Sequence, residues 1–583
     1  MTHDQLGQHG AVVPTSPPRY GVHVLSISWE RVLLTIHVRV EPTVSDPVGN
    51  DSPLTFEIFT PTWAHPLEAS RASDGTYLLE ANVTTFVDRR AIPQGTWRIR
   101  AVVDGQPGGV AQVEASQLTE LDAASRVFLF NSNRNAYTVS FGISDSDEHL
   151  EFLMRTYEFA NAPAPARRRH ALRRLRRNLV GTPAKRRYLR WIYAFCVRWI
   201  GPKKGRILFA SEQRPAIEGN LKRVQERMVE RGLADQFDIH YSFRLPATAG
   251  SRSNLRLHYL LATSEVVLLD DYFEMLNNLD VDRRTKIIQL WHAGSGFKSV
   301  GFSRFGQAGS PMLKNAHRSY TFAITGSRHL VPVYAEAFGI EPEAVIATGL
   351  PRVDWFLDEE RTRRFTDEFF ADYPALQGKR IILFAPTFRG RGMKSAYYDF
   401  DLIDFESLYD ACGDDTVVLF RMHHFVNEKV PIPAEFADRF FDFTSYPKGL
   451  ELLHVTDLMI TDYSSIIYEY SLLDRPMLFF APDRANYAAT RGFHRDFDET
   501  APGRVCDTFS EVVEAIRAGE FEQSKVATFR EENFDRVDTG SADRVIDWLI
   551  LADPRDPAKR TGRRAPAALD YESDAEQDEG DNT

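Results

Sequence analysis

Thr285 to Arg304 reads TKIIQLWHAGSGFKSVGFSR. The apolar, β-branched run Ile287-Ile288-Gln289-Leu290-Trp291 predicts a buried strand, and it hands His292 directly to a loop holding Gly294, Ser295, Gly296 and Lys298. In an open α/β sheet, ligands sit just beyond the carboxyl ends of strands. A histidine placed there can exchange a proton near neutral pH, while glycines let a ligand approach the backbone and a lysine supplies positive charge. The plainer alternative is a core histidine packed beside Trp291.

Outward from this stretch, strands and helices alternate. Apolar runs at Arg206–Ser211, Phe237–Tyr241, Val266–Asp270, Tyr320–Thr325 and Ala344–Ala347 flank it, with helical stretches such as Asn220–Val229 between them. That is the βαβ pattern of a parallel, doubly wound sheet. A second set follows at Arg380–Ala385, Val417–Met422, Phe440–Phe443, Asp457–Asp462 and Pro476–Phe480. The expected architecture is α/β, with two Rossmann-like domains over residues 204–365 and 366–552. Clefts between such domains are where small ligands usually bind.

The flanks read differently. A polar lead-in, 1–18, ends in Pro14, Pro17 and Pro18 and predicts disorder. Short alternating runs over 19–140, such as Val32–Val38 and Trp97–Val103, are separated by turn clusters and predict a β-sandwich of accessory character. Phe159 to Ser211 contains fifteen Lys or Arg and no Asp or Glu, whereas seven of the twelve residues from Asp570 to Asp581 are acidic. The net charge of −11 therefore hides a strong asymmetry. The tail, 553–583, predicts a disordered acidic segment.

Within 160–203, helical spacing places Leu189, Ile192, Tyr193, Cys196, Trp199 and Ile200 on one side of a strongly basic helix. Three readings stay open: a helix lying on an anionic membrane, a packed interdomain helix, and a nucleic-acid patch. The first is carried forward, with no nucleic-acid partner expected. No run approaches the roughly 18 consecutive apolar residues of a spanning helix, and the N-terminus lacks a signal-peptide pattern. The three cysteines share no metal or redox spacing. A cytoplasmic protein held at a membrane surface is the expectation.

Three strand ends of the second domain carry residues suited to a phosphorylated ligand: Thr387 and Arg389 after the first, Arg421, His423 and His424 after the second, Ser464 and Ser465 after the fourth. Small hydroxyl residues opening a helix at Ile466–Leu473 would present free N–H groups to an anion, although ordinary capping is the bland reading. Arg389 and Arg421 read either as phosphate contacts or as structural ion pairs, the first being preferred for the fork geometry of arginine. There is no GxGxxG fingerprint and no GxxxxGK[ST] loop, and no zinc-type spacing. Metal-free transfer without a cofactor is the simpler chemistry.

Six ordered motifs now stand together: WHAGSGFKSVG (291–301), TGLPRVD (348–354), APTFRG (385–390), RMHH (421–424), TDYSSIIYEYSLLDRP (461–476) and RGF (491–493). With Pro502-Gly503 and the EN-x7-S-A-x-R-V pattern at Glu532–Val545, they resemble the CDP-glycerol glycerophosphotransferases, the teichoic-acid primases and polymerases of bacterial envelopes. The resemblance covers about 205–550. It implies the glycosyltransferase-B type of two-Rossmann fold, a CDP-glycerol or related CDP-alditol donor, and a lipid-linked acceptor at the inner face of the cell membrane. It further implies that His292 is general base on the acceptor hydroxyl and that His423 contacts the diphosphate and assists the leaving group. Thr387, Arg389, Arg421, Ser464 and Ser465 would hold the donor, Glu469 would face the ribose or alditol, and Ser295, Lys298 and Asp271 would line the acceptor side. Two departures stand out: WHAGSG replaces the family's frequent WHG-T-P, and His424 replaces a frequent proline. The competing expectations are a nucleotide-sugar glycosyltransferase on the same fold and a non-catalytic envelope scaffold, with homo-oligomerisation open in each case.

Overall fold

The computed structural model describes residues 20–42, 54–113, 121, 123–144, 150–160, 182–246, 249–292, 299–307, 310–390, 395–484, 487 and 493–552. The expectations for the lead-in, the acidic tail, most of the basic run before residue 182, and the glycine loop with Ser295 and Lys298 fall outside these residues. Among the described residues no helix is long and apolar enough to cross a membrane. Two compact units divide the chain: one comprises 1–171, 300–318 and 336–341, and the other holds the remainder.

The first unit is built on ten strands: β1 Tyr20–Glu30, β2 Leu33–Pro42, β3 Leu54–Thr60, β4 Trp63–Arg71, β5 Tyr77–Asn82, β6 Gly95–Val103, β7 Gln106–Val113, β8 Arg126–Phe130, β9 Asn135–Ile143 and β10 Phe152–Ala160. The first seven pair in the order β3-β4-β5-β2-β1-β7-β6, and β6 pairs again with β3, so the sheet closes on itself. The expected sandwich is therefore corrected to a seven-stranded, barrel-like sheet. Alternation with period two is the same in both architectures, because each buries one face of every strand. What separates them is the parallel pairing of β1 with β7, which links strands far apart in sequence. Register shifts at Val24/Ser26 and Arg100/Val102 are the bulges that bend the strands.

Strands β8 to β10 extend from the Gly95–Trp97 end of β6 and run past the expected boundary at 140. Later chain completes this unit. Phe302 and Phe305 join its core, with Phe305 stacked 5.4 Å from Phe128. Arg31 reaches both carboxylate oxygens of buried Glu336 at 2.7 and 2.8 Å.

The second unit contains two parallel sheets. Strands β11 Lys203–Ser211, β12 Asp238–Phe243, β13 Ser264–Leu269, β14 Lys286–Gln289, β15 Phe322–Ile324 and β16 Val345–Ile346 take the order β12-β11-β13-β14-β15-β16. Strands β17 Arg380–Phe384, β18 Thr416–Phe420, β19 Phe440–Asp442, β20 Leu458–Thr461, β21 Met477–Phe480 and β22 Arg504–Cys506 take the order β19-β18-β17-β20-β21-β22. Every described pairing in both is parallel. The near-continuous apolar runs follow from burial on both faces. In each sheet the strand order reverses at one place, between β11 and β13 and between β17 and β20. Those switch points are where a doubly wound sheet opens a crevice.

The first sheet takes its strands from Lys203–Ile346 and the second from Arg380–Cys506, and the chain's last helices lie against the first half. Residues 541–551 return to the first half. Arg227 and Arg231 of its helix pair with Asp543 at 3.0 and 2.9 Å, and Lys286 Nζ donates to the carbonyls of Leu549, Ile550 and Ala552. Asp354 of the TGLPRVD motif accepts from the N–H groups of Ser541 and Ala542 at 2.9 and 2.8 Å. Gly349 of the same motif has φ 81°, and an added Cβ would collide with the Ser541 hydroxyl. Two distant motifs are thus two sides of one contact.

The helix Thr182–Trp199, α1, packs Tyr193 and Cys196 inward at 4% and 7% exposure. Part of the expected membrane-facing stripe is therefore the packed side of the helix. Trp199 and Ile200 of that stripe face outward, together with Tyr188, Trp191 and Phe195. Both sides are apolar, so periodicity alone could not tell them apart.

Candidate active site

Ser211 closes β11, while Asp270 and Asp271 follow β13, on either side of the first switch point. The Ser211 hydroxyl donates to Asp271 Oδ2 at 2.8 Å, across the reversal. Asp271 Oδ1 lies 3.1 Å from His292 Nδ1, and the Asp270 carbonyl lies 3.1 Å from the same nitrogen. Two oxygen acceptors at one ring nitrogen place the proton on Nδ1 and leave the Nε2 lone pair outward. The imidazole is 40% exposed and its carboxylate 6%, so the ring meets solvent while its orienting partner does not.

The two aspartates divide one charge. Burial, then the neighbouring Asp271, pushes Asp270 well above the usual carboxylate range despite Arg214 at 3.2 Å. Burial acts the same way on Asp271, but the hydrogen bond from His292, with Arg214 and Ser211, holds it below its ordinary value. The negative charge therefore sits on Asp271, directly behind the imidazole.

The strand end that carries His292 is fixed from three sides. Gln289 accepts from the Trp291 N–H at 2.9 Å and donates to the Asp271 carbonyl at 2.9 Å. Asn220 donates to the carbonyls of Leu290 and Trp291 at 3.0 and 2.6 Å and accepts from the Arg352 N–H at 2.8 Å. Under this grip Trp291 adopts φ 50°, a left-handed conformation that costs a bulky residue on the order of 1–3 kcal/mol. Arg352 donates to the His292 carbonyl at 2.5 Å and pairs with Glu469. Through this one guanidinium the His292 strand end is tied to the segment that follows Ser464 and Ser465.

At the second switch point, the Thr387 N–H and hydroxyl both donate to Asp462, at 2.8 and 3.0 Å, bridging the ends of β17 and β20. Arg389 forms a fork with Asp483 at 2.6 and 2.9 Å and reaches Asp462 at 2.9 Å. Desolvation works against its charge, but Asp462 and Asp483 more than restore it and raise its pKa. Tyr463 adds a hydroxyl to Asp483 at 3.0 Å.

Several residues expected to hold the donor or acceptor have partners within the protein. Arg389 and Thr387 belong to a buried ion-pair network that shapes the loop. Arg421 spends Nη1 on the carbonyls of Phe443 and Tyr446, and burial lowers its pKa. Glu469, 1% exposed, faces Arg352 and not solvent. Asp271 stands behind His292 and not beside it. The helix expected at Ile466–Leu473 is limited to Ile467–Ser471.

Ser464 and Ser465 are partly exposed just past the switch. His423 is half-buried, its ring 4.7 Å from Phe388, and His424 is exposed and stacked on it at 4.3 Å. His423 Nδ1 accepts from the Phe425 N–H at 3.2 Å, which puts the proton on Nε2. The two histidines are thus anchored through Nδ1, one against oxygen acceptors and the other against an N–H donor. Among the described residues no cluster of three or more His, Cys, Asp or Glu side chains has the arrangement to hold a metal ion.

Sequence reading missed Arg352, Asn220, Ser211 and Asp483. The signal for Arg352 was its place in TGLPRVD; Asp483 lies 94 residues from its partner Arg389 and gave none.

The model of the family described as CDP-Glycerol:Poly(glycerophosphate) glycerophosphotransferase matches residues 193–551. The teichoic acid poly(ribitol-phosphate) polymerase of Bacillus spizizenii is 37% identical over 361 residues, covering 61% of this chain and 58% of that one. The teichoic acid ribitol-phosphate polymerase TarL of Staphylococcus aureus is 38% identical over 349 residues, covering 59% and 62%. The match thus spans about three fifths of each relative. The solved structure of the wall teichoic acid polymerase TagF, in a variant, aligns with a TM-score of 0.51 at 22% identity, over 65% of this chain and 95% of that one. That likeness concerns the fold.

Proposed function

From membership of the CDP-glycerol:poly(glycerophosphate) glycerophosphotransferase family, to which this chain belongs, we propose that it transfers an alditol phosphate from a CDP-alditol to a lipid-linked acceptor in teichoic-acid-like polymer synthesis. The observation that carries the reading is the pair of strand-end histidines, His292 backed by Asp271 and His423 backed by the Phe425 N–H.

In this reaction the acceptor hydroxyl gives its proton to His292 Nε2 as its oxygen attacks the β-phosphorus. The bond from that phosphorus to the bridging oxygen breaks, and CMP leaves with its α-phosphate. The His423 Nε2–H donates to the departing diphosphate oxygen. Such transfers depend on positioning and on stabilising charge at the phosphoryl oxygens. Ser464 and Ser465 hold donor phosphate oxygens, and Ser295 and Lys298 belong to the acceptor side. The two Rossmann halves work in the glycosyltransferase-B manner, with the acceptor on the first and the nucleotide on the second.

CDP-ribitol is the preferred donor over CDP-glycerol, since both relatives at 37–38% identity are ribitol-phosphate polymerases. The enzyme works at the cytoplasmic side of the cell membrane, as a peripheral protein held by its basic segment. Purified protein given CDP-ribitol or CDP-glycerol with a lipid-linked acceptor should release CMP, faster from CDP-ribitol. Release from UDP-sugars alone would overturn the reading, and mass spectrometry of the product identifies the added unit.

A further inference from the structure

The outward side of α1 has no counterpart in the proposed chemistry. Tyr188, Trp191, Phe195 and Trp199 are exposed by 60%, 61%, 47% and 71%, and their rings follow one another at 6.5, 5.6 and 6.4 Å. Four neighbouring large aromatics left in water call for an apolar partner. The helix carries no acidic residue, and Lys185, Arg186, Arg187, Arg190 and Arg198 lie along it.

Beside this stripe a groove of about 720 Å³ runs between α1 and residues 278–284, lined among others by Arg187, Arg190, Trp191, Arg198 and Arg284. Arg284 is committed to Asp282 at 2.6 Å. Arg187, Arg190 and Arg198 make no ion pair among the described residues. Asp280 is the one carboxylate on the lining. Arg198 lies 5.4 Å over the Trp199 ring, and with Arg187 and Arg190 around the concavity it forms a phosphate site by fork geometry, beside an aromatic band suited to the boundary between head groups and acyl chains.

We propose that this groove binds the phosphate head group of an anionic phospholipid, with the four aromatic rings lying in the lipid interface beside it. The proposal rests on the peripheral-membrane reading above and sharpens it. Attraction then comes from a built site on α1, and not from the summed charge of the arginine run at 167–177. Arg187, Arg190 and Trp191 precede residue 193, where the family match begins, and the rest of the lining falls within it.

The test is flotation of the full chain on vesicles of phosphatidylcholine alone or containing phosphatidylglycerol. Wild type should partition onto the phosphatidylglycerol vesicles. The variant R187Q/R190Q/R198Q should lose about 100-fold of that partition, as three basic residues at an anionic surface warrant. R173Q/R174Q/R176Q/R177Q should lose less than about tenfold. W191A/W199A should weaken binding to both vesicle types. Unchanged thermal unfolding of each variant confirms folding, since every substituted groove residue is exposed. Wild type failing to bind phosphatidylglycerol vesicles overturns the membrane reading and this site together. Binding in which the groove variant equals wild type, or in which both arginine variants lose equally, overturns the site alone. Displacement from vesicles by inorganic phosphate at equal phosphate concentration shows a solution anion site and overturns the lipid assignment.

Discussion

Two switch points in one chain use aspartates in opposite ways. At the first, Asp271 is buried behind a half-exposed histidine and aims it outward. At the second, Asp462 and Asp483 surround an arginine that is 18% exposed and consume it. The strand-end position is the same, and so is the parallel topology. What differs is whether the charged partner lies beneath the side chain or around it. A carboxylate on one nitrogen of an imidazole leaves the other nitrogen free, whereas carboxylates on both sides of a guanidinium leave a scaffold. Location at a strand end therefore marks where chemistry can occur, and the partner geometry marks what each side chain there is left to offer.

The contrast can be broken at several points. His292→Ala should cost the most, about 10²–10⁴-fold in kcat for CMP release with the fold intact. Persisting turnover would remove His292 from the role of base. Arg389→Ala should instead cost about 3–5 kcal/mol of stability, because Asp462 is left charged and buried without its partner. Urea unfolding measures it, and a folded variant with normal midpoint and impaired donor affinity would make Arg389 a ligand contact after all.

Arg352→Ala should lower kcat by about 10- to 100-fold through displacement of the His292 strand end. Arg352→Lys should not rescue it, since one ammonium cannot serve both the His292 carbonyl and Glu469 with a fork. Asp270→Asn is read in the pH dependence of stability. Asp270 titrates higher in the folded chain than in the unfolded one. Its contribution is fully present below the unfolded value and is lost as pH rises through the folded one. Wild type should therefore lose stability relative to the variant as pH rises across that window, by on the order of 1 kcal/mol per pH unit. A constant gap across a pH series of urea midpoints would show that Asp270 does not titrate there.

Much of this was legible in the sequence. The apolar runs of β13, β14, β17 and β20 announced strands buried on both faces, and the residues just beyond them gave the two clusters. His292 and His423 were named from that placement together with the family resemblance. The rest depended on partners that sequence proximity does not reveal. Arg389 was placed at its strand end, but its pairing with Asp483, which approaches from another strand end, was not. The seven-stranded closure escaped because alternation reports which face is buried and not which strand lies alongside. On α1, Tyr193 and Trp199 share an apolar character, and only packing shows that one side is taken.

The contact between Asp354 and the amides of Ser541 and Ala542 has a mechanical consequence. The chain passes between its two Rossmann halves twice, once after the TGLPRVD motif and once before residue 541, and this carboxylate fastens the second crossing to the first. Two tethers secured at one place behave as a single pin. The motif that supplies Arg352 to the His292 strand end thus also fastens the chain's return.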